Sequence, residues 1–273
     1  MRVCAIVPAF QAERRVGEVI RGLGAVWPTH DSIFVLDDGS TDRTAEIARE
    51  AGARVVCHGY NRGKGAAIRS GLQAAQLAGF EVAVTVDADG QHPASEAARL
   101  ASATLDPSAL VLGVRDLASA GAPRPSQMSN RISNFFLSAF SGRPLADTQC
   151  GLRRYPIAAT LDLDGRDNGY AFEAEIVLRA IAAGMTIVEI PIECIYPPKE
   201  ERISHFDSVR DPWRIIQRVV KTLVSTGGMR HAAMLRVRSH GAGSRRDAAE
   251  SLAQSAHSAS PRTTDAATDV ETS

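Results

Sequence analysis

Val82-Ala83-Val84-Thr85-Val86-Asp87-Ala88-Asp89-Gly90-Gln91-His92-Pro93 is the stretch whose reading decides the fold. Its first five residues are apolar or β-branched without alternation, the pattern of a short strand buried on both faces. The run passes directly into two carboxylates one residue apart and then into a turn. Open parallel sheets bind ligands outside the carboxyl ends of their strands, so this strand delivers Asp87 and Asp89 to such an edge. Two carboxylates with that gap can share a hard cation, Mg²⁺ or Mn²⁺, with Gln91 as a further oxygen ligand and positions left for a pyrophosphate. Taken alone, Asp-Ala-Asp-Gly is equally an ordinary turn, and its weight comes from its neighbours.

Working outward, Val3–Val7, Ser32–Leu36, Arg54–Cys57 and Leu110–Val114 are further buried-strand runs. Helical patterns lie between them at Glu13–Val26, Asp42–Ala51, Gly65–Ala78 and Ala94–Ala103. This alternation predicts an α/β fold with a mainly parallel open sheet flanked by helices. The second strand ends in Asp37-Asp38-Gly39-Ser40-Thr41-Asp42, where carboxylates can accept from a base or ribose and Asp42 or Thr41 can cap the next helix. The first ends in Pro8-Ala9-Phe10-Gln11-Ala12-Glu13. Asn61-Arg62-Gly63-Lys64-Gly65 opens a helix with two cations near its N-terminus, which suits an anion. Its glycine spacing is not that of a P-loop, and no GxGxxG follows the first strand, so a dinucleotide cofactor is not expected.

The second half begins with a Gly/Ala/Pro-rich loop, 118–125, and an amphipathic helix at Gln127–Phe140, whose apolar set is Met128, Ile132, Phe135, Phe136 and Phe140. A turn at Gly142-Arg143-Pro144, a helix near Ala171–Ala183 and a strand pair near Thr186–Tyr196 complete the body. Arg153 and Arg154 adjoin a turn, where surface ion pairs are one reading. Glu173 and Glu175, two apart on a helix, face differently, so they are no acid/base pair. His92, before Pro93, is expected to shape the turn rather than to bind metal.

The chain has 273 residues, 44% hydrophobic and 23% charged, enough for a sizeable core. Its 31 basic and 31 acidic residues cancel, but unevenly. Residues 1–211 carry 22 basic and 26 acidic, 212–246 eight basic and none acidic, and 247–273 one basic and five acidic. No nucleic-acid partner is expected. Cys4, Cys57, Cys150 and Cys194 are far apart without a CxxC pair and read as reduced thiols of a cytoplasmic protein. No run approaches the ~20 apolar residues of a membrane span. A catalytic domain is expected over 1–210, a basic amphipathic helical region over 211–238, and a disordered tail over 239–273.

Together these motifs resemble the family 2 glycosyltransferases of the GT-A (nucleotide-diphosphosugar transferase) fold, most closely the dolichyl- or polyprenyl-phosphate sugar transferases. The resemblance covers roughly residues 2–226 and rests on Val7–Phe10, Val35–Asp42, Asn61–Gly65 and Asp87–Pro93, continuing through Asp147-Thr148-Gln149-Cys150-Gly151-Leu152-Arg153 and Glu189-Ile190-Pro191-Ile192. It implies that Asp87, Asp89 and Gln91 hold Mg²⁺ or Mn²⁺ on the diphosphate. It also implies that Pro8, Phe10 and Asp38 line the base and ribose, with Asp37, Lys64 and Ala88 beside them. Arg115, Arg131 and Arg153 look like the basic residues that meet donor or acceptor phosphates, and Ser204 occupies the acceptor-loop region. After the first strand the family usually has Tyr-Asn-Glu. This chain has Phe10-Gln11-Ala12, a departure from the family pattern, with Glu13 one place later as the candidate carboxylate on the nucleoside side.

The function expected is inverting transfer of a hexose from a GDP- or UDP-sugar to a polyprenyl-phosphate-type acceptor. A hydroxyl acceptor would need a general base, and Asp147 is the carboxylate in a suitable motif; a lipid monophosphate, with a second pKa near ~6, needs none. Transfer to a saccharide or lipid hydroxyl is the alternative, and a non-catalytic nucleotide-sugar binder is a third. The 211–224 segment carries Trp213, Ile216, Val220 and Leu223 as an apolar stripe flanked by Arg214, Arg218 and Lys221. It suits either peripheral contact with an anionic inner membrane face or packing on the domain.

Overall fold

The structure, a computed structural model, describes residues 1–196 apart from Pro28 and Leu105, together with Gln217. These residues belong to one compact unit, Met1–Gly227; a second, Gly228–Ser273, lies outside the described residues. So do the expected boundary at 210/211, Ser204, and all of the 211–238 region except Gln217.

In chain order the elements are β1 (Val3–Ala9), α1 (Val16–Val26), β2 (Ile33–Asp37), α2 (Thr44–Glu50), β3 (Arg54–Cys57), α3 (Lys64–Leu77), β4 (Val82–Thr85), α4 (Ala94–Ala101), β5 (Leu110–Arg115), α5 (Arg124–Ser141), β6 (Arg153–Pro156), α6 (Ile157–Asp162), α7 (Ala171–Ala182) and β7 (Ile187–Ile192). Among the described residues the strands form one seven-stranded sheet, ordered β3-β2-β1-β4-β6-β5-β7. All neighbours are parallel except β6, which is antiparallel to β4 and β5.

β1, β2, β4 and the first four residues of β5 are buried on nearly every position, as their composition requires, whereas β3, expected to be buried, is an edge strand with Arg54 and Cys57 exposed. Cys4 and Ile6 of β1 join Ile68 and Leu72 of α3 and Phe172 and Ile176 of α7 in one core. Ala5 and Val7, one residue out of step, join Val16, Ile20 and Leu23 of α1 and Leu100 of α4 in the other. The strand period of two thus feeds two cores, and helices cover both sides of the sheet.

Three further expectations are corrected. The strand pair at 186–196 is a single strand, β7, because beyond Ile192 the chain leaves the sheet and Ile195 N donates to Gln91 O at 2.8 Å. Arg153 and Arg154 open a strand, β6, and are fully buried, so the surface ion pairs that were one reading of them are ruled out. Finally, α5 faces the opposite way from its pattern. Ser129, Asn130, Ser133 and Leu137 point inward, whereas Met128, Ile132 and Phe135 are exposed.

Candidate active site

Strand order reverses between β1 and β4, and the crevice at such a switch point is where open sheets bind ligands. The carboxyl ends of β1, β2, β4 and β5 bring Pro8, Phe10, Asp37, Asp38, Asp87, Asp89 and Arg115 to this edge. The loop after β1 is clipped to the loop after β2: Gln11 N donates to Ser40 Oγ (2.9 Å) and Ala12 N to Thr44 Oγ1 (2.8 Å). Glu13 is exposed, and its Oε2 accepts from Arg43 N at 3.1 Å, at the start of α2. Asp37, buried, accepts from Ser40 N.

Asp38 is also buried, and its carboxylate is spent on the protein. It accepts from Arg62 N (3.0 Å) and Gly63 N (2.7 Å) and lies 2.6 Å from His58 Nδ1, whose Nε2 reaches Ser70 Oγ at 3.0 Å. This carboxylate therefore fixes the Asn61–Gly65 loop at the mouth of α3. Gly63 has φ +98°, and a Cβ there would fall 2.3 Å from Asn168 O, so only glycine lets α3 start against the 167–170 loop. Seating α3 in this way delivers Lys64 to the crevice. Its Nζ lies 2.8 Å from Asp87 Oδ1 and 3.1 Å from Glu173 Oε2, at the start of α7.

Burial alone would raise the Asp87 carboxyl, but Lys64 holds it below its usual range. Asp89 has no such partner and is pushed up to about 6, first by burial and then by the charge of Asp87. Its Oδ1 accepts from Gln91 N at 2.9 Å, closing the turn. Ala88 between them is buried. His92 is buried with no hydrogen bond at Nδ1, and burial lowers it to about 4, so it is neutral near pH 7. Gly151 lies against Asp87: a Cβ there would be 2.1 Å from Oδ2. Among the described residues no three His, Cys, Asp or Glu side chains form a metal cage. The donors fit a hard divalent ion all the same: two carboxylates that repel each other gain from shared positive charge, and an ion with a partial protein shell leaves room for phosphate oxygens.

Arg115, at the end of β5, is gripped by Asp147. Nε lies 2.7 Å from Oδ2, Nη2 3.0 Å from Oδ1, and the Arg115 N–H also donates to Oδ2 at 3.1 Å. Gln149 N adds a fourth bond at 3.2 Å. Asp147, the candidate general base for a hydroxyl acceptor, is fully buried, and here its carboxylate aims the Arg115 guanidinium. Arg115 in turn acts electrostatically on Asp87, Asp89 and His92, so its charge lies within electrostatic reach of the carboxylate pair. The Ala146–Thr148 backbone is held by Glu189 of β7 (Ala146 N to Oε1, 2.7 Å) and by Asn134 of α5 (Thr148 N to Oδ1, 2.8 Å).

Arg153 does not meet phosphate. Its Nε, Nη1 and Nη2 donate to the carbonyls of Cys150 (2.8 Å), Glu173 (2.7 Å) and Thr148 (2.7 Å), with no exposed surface. Its task is to tie the Asp147–Cys150 segment to α7. Arg131 is exposed on α5, outside this cluster of contacts. Sequence reasoning gave Glu173 no firm role, although it carries Lys64. Its signal is a charged residue in the apolar run 171–182: a helix buried along most of its length can hold a carboxylate there only if a cation meets it.

A seven-stranded sheet of this order, with carboxylates and a fixed arginine at the switch point, defines a GT-A-type glycosyltransferase. A family model described as "Glycosyl transferase family 2" matches residues 4–157, more than half of the chain, and the chain belongs to that family. Among relatives, an uncharacterized protein of Methanocaldococcus jannaschii is 30% identical over 200 residues, 71% of this chain and 82% of that one. The polyprenol monophosphomannose synthase of Mycolicibacterium smegmatis is 29% identical over 208 residues, 70% of this chain and 76% of its own. Among solved structures, glucosyl-3-phosphoglycerate synthase from Mycobacterium tuberculosis, crystallised with Mg²⁺ and UDP, superposes with a TM-score of 0.63 at 20% identity, covering 83% of this chain and 79% of that one.

Proposed function

We propose that this protein transfers a hexose, with inversion, from a nucleotide-diphosphosugar to a polyprenyl-phosphate-type lipid. The observation that carries the reading is Arg115, clamped by a buried carboxylate within electrostatic reach of the Asp87/Asp89 pair. A guanidinium fixed in this way binds a phosphate, and the paired carboxylates suit a cation on a diphosphate. Asp87, Asp89 and Gln91 would hold Mg²⁺ or Mn²⁺, which, when bound, neutralises charge developing on the departing diphosphate. Pro8, Phe10 and Asp37 line the nucleoside side, and Asp38 shapes that side through the loop it anchors. Arg115 orients the acceptor phosphate for attack on the face of the anomeric carbon opposite the leaving group, hence single displacement. Arg131 is assigned to the approach of the acceptor phosphate, and Ser204, outside the described residues, to the acceptor loop.

The burial and saturation of Asp147 favour this over transfer to a hydroxyl. A largely dianionic lipid phosphate attacks without a base, whereas a hydroxyl needs one, and the carboxylate expected to serve is committed to Arg115. The name of the mycobacterial relative supports a lipid-phosphate acceptor, and the UDP-bound neighbour supports a nucleotide-sugar donor. We also place the protein peripherally on the inner face of a membrane. Among the described residues no helix is long and apolar enough to cross one. The exposed face of α5 supplies a means of contact: Met128, Ile132 and Phe135 stand at i, i+4 and i+7, with Phe135 68% exposed. From Leu117 to Ala146 the chain holds Arg124, Arg131 and Arg143 and no acidic residue, which matches an anionic lipid surface.

The test is to incubate the full chain with Mn²⁺ or Mg²⁺, a panel of labelled GDP- and UDP-sugars, and polyprenyl phosphate, and to extract the lipid. Label is expected in the lipid phase with the anomeric configuration opposite to that of the donor, and none with Asp89→Asn. Label found only in a water-soluble glycan, or a product that retains the donor configuration, overturns the reading.

A further inference from the structure

Lys64, Asp87 and Glu173 come from α3, the loop after β4 and α7, and a single ammonium joins the two carboxylates at 2.8 and 3.1 Å. The three side chains are 16%, 26% and 6% exposed, so the cation sits between two poorly solvated anions. The Tyr170 ring centroid lies 5.8 Å from Nζ. Glu173 Oε1 is buried without a hydrogen bond, with Arg153 Nε 4.0 Å away. One of the two anions, Asp87, belongs to the pair assigned to the divalent ion, and Lys64 and that ion compete for it. An ammonium deprived of all its partners in such a place is costly, and a second carboxylate removes that cost.

We propose that Lys64 is an exchangeable internal counter-cation: it neutralises Asp87 in the metal-free protein and yields it to the divalent ion, while Glu173, a positioning residue, retains the ammonium. This rests on the metal reading above. Two consequences have opposite signs. Without nucleotide, Lys64 opposes metal binding, because it must surrender a short ion pair. With a nucleoside diphosphate present, the ammonium kept in place by Glu173 gains phosphate oxygens as new partners, so the same residue then favours the loaded state. Lys64 thereby couples metal binding to donor binding, and the coupling is reciprocal.

The test measures Mn²⁺ affinity by electron paramagnetic resonance on the full chain, without nucleotide and with UDP or GDP. The variants are Lys64→Met, Glu173→Gln and Asp89→Asn. Lys64→Met is expected to bind Mn²⁺ about fivefold or more tightly than wild type without nucleotide, and to lose most of the gain in affinity that the nucleoside diphosphate confers. Glu173→Gln leaves the ammonium to Asp87 alone and is expected to bind Mn²⁺ about fivefold more weakly without nucleotide. A merely structural role would weaken binding in both variants. Folded Lys64→Met that binds no more tightly than wild type, or Glu173→Gln that binds more tightly, overturns the proposal. If Lys64→Met does not fold, as judged by circular dichroism, Lys64→Gln, which also removes the charge but keeps a polar end, takes its place with the same expected tightening and the same overturning result. Wild type that binds no Mn²⁺ with or without nucleotide, or Asp89→Asn that binds as wild type does, overturns the metal reading and this proposal with it.

Discussion

Asp89 is a carboxylate that the metal-free protein holds at a cost. An ordinary Asp titrates near ~3.9 in an unfolded chain, and burial together with the neighbouring Asp87 moves it to about 6 here. Between these values the folded protein keeps a proton that the unfolded chain has released. This group's contribution to stability is therefore present at acid pH and is lost as pH rises through the folded value. Asp89→Asn removes that loss. In thermal melts of metal-free protein, the variant is expected to gain on wild type as pH rises from about 4 to about 7, while losing Mn²⁺ binding. A pH-independent difference in Tm would sink the argument. A second residue-scale prediction concerns Gly151, where any Cβ meets Asp87 Oδ2. Gly151→Ala is expected to displace that carboxylate, cost ~1–3 kcal/mol in urea unfolding and weaken Mn²⁺ binding at least as much as Asp87→Asn. Normal binding by the alanine variant would refute the close approach. Asp87, Asp89 and Lys64 were legible in the sequence because each follows a strand end or opens a helix. Glu173 and Arg153 were not, because the partner of Glu173, Lys64, lies about 110 residues away and those of Arg153 are backbone carbonyls, and no local pattern encodes such a pairing.

At the scale of elements, β1 to β5 and the helices between them could be read closely, since short runs of mostly apolar, β-branched residues leave a dense signature. β6 escaped because four residues, two of them arginine, do not look like a buried strand, although backbone carbonyls take up all three nitrogens of Arg153 and Nη1 of Arg154. α5 was legible as a helix but not in its orientation. The apolar stripe was recognisable, and whether a stripe faces a core or the outside depends on tertiary partners. Here Asn134 and Ser133 are claimed by the 146–148 backbone and Thr148 Oγ1, which turns the polar face inward. Anchoring of the 146–148 segment by the polar face of α5 thus leaves the apolar face outward. Replacing Met128 and Phe135 together by Ser is expected to leave Tm nearly unchanged, because both side chains are more than half exposed, and to reduce flotation with vesicles containing phosphatidylglycerol. Turnover of donor with a short, water-soluble polyprenyl-phosphate analogue should persist. Equal flotation of variant and wild type would remove α5 from the membrane-contact reading.

Across the whole molecule, β6 joins the two halves of the candidate site. It lies between β4, which delivers the Asp87 pair, and β5, which delivers Arg115, and it runs against both. From its first residue, Arg153 reaches the carbonyls of Thr148 and Cys150, in the segment that contains Asp147, and the carbonyl of Glu173, whose side chain holds Lys64. The next residue, Arg154, is equally buried but reaches Ala109 O (2.8 Å), just before β5 at the opposite edge of the sheet. This asymmetry separates stability from function. Arg153→Met leaves three carbonyls without their donor and removes the cation 4.0 Å from Glu173 Oε1, and is expected to cost ~3–5 kcal/mol in urea unfolding. At a temperature where the variant stays folded, both Mn²⁺ affinity and transfer to lipid phosphate should fall. Arg154→Met should be destabilising as well, while its Mn²⁺ affinity stays that of wild type. If the two variants lose Mn²⁺ binding equally, the effect is general loosening of the sheet, and Arg153 has no special part in joining the two halves of the site.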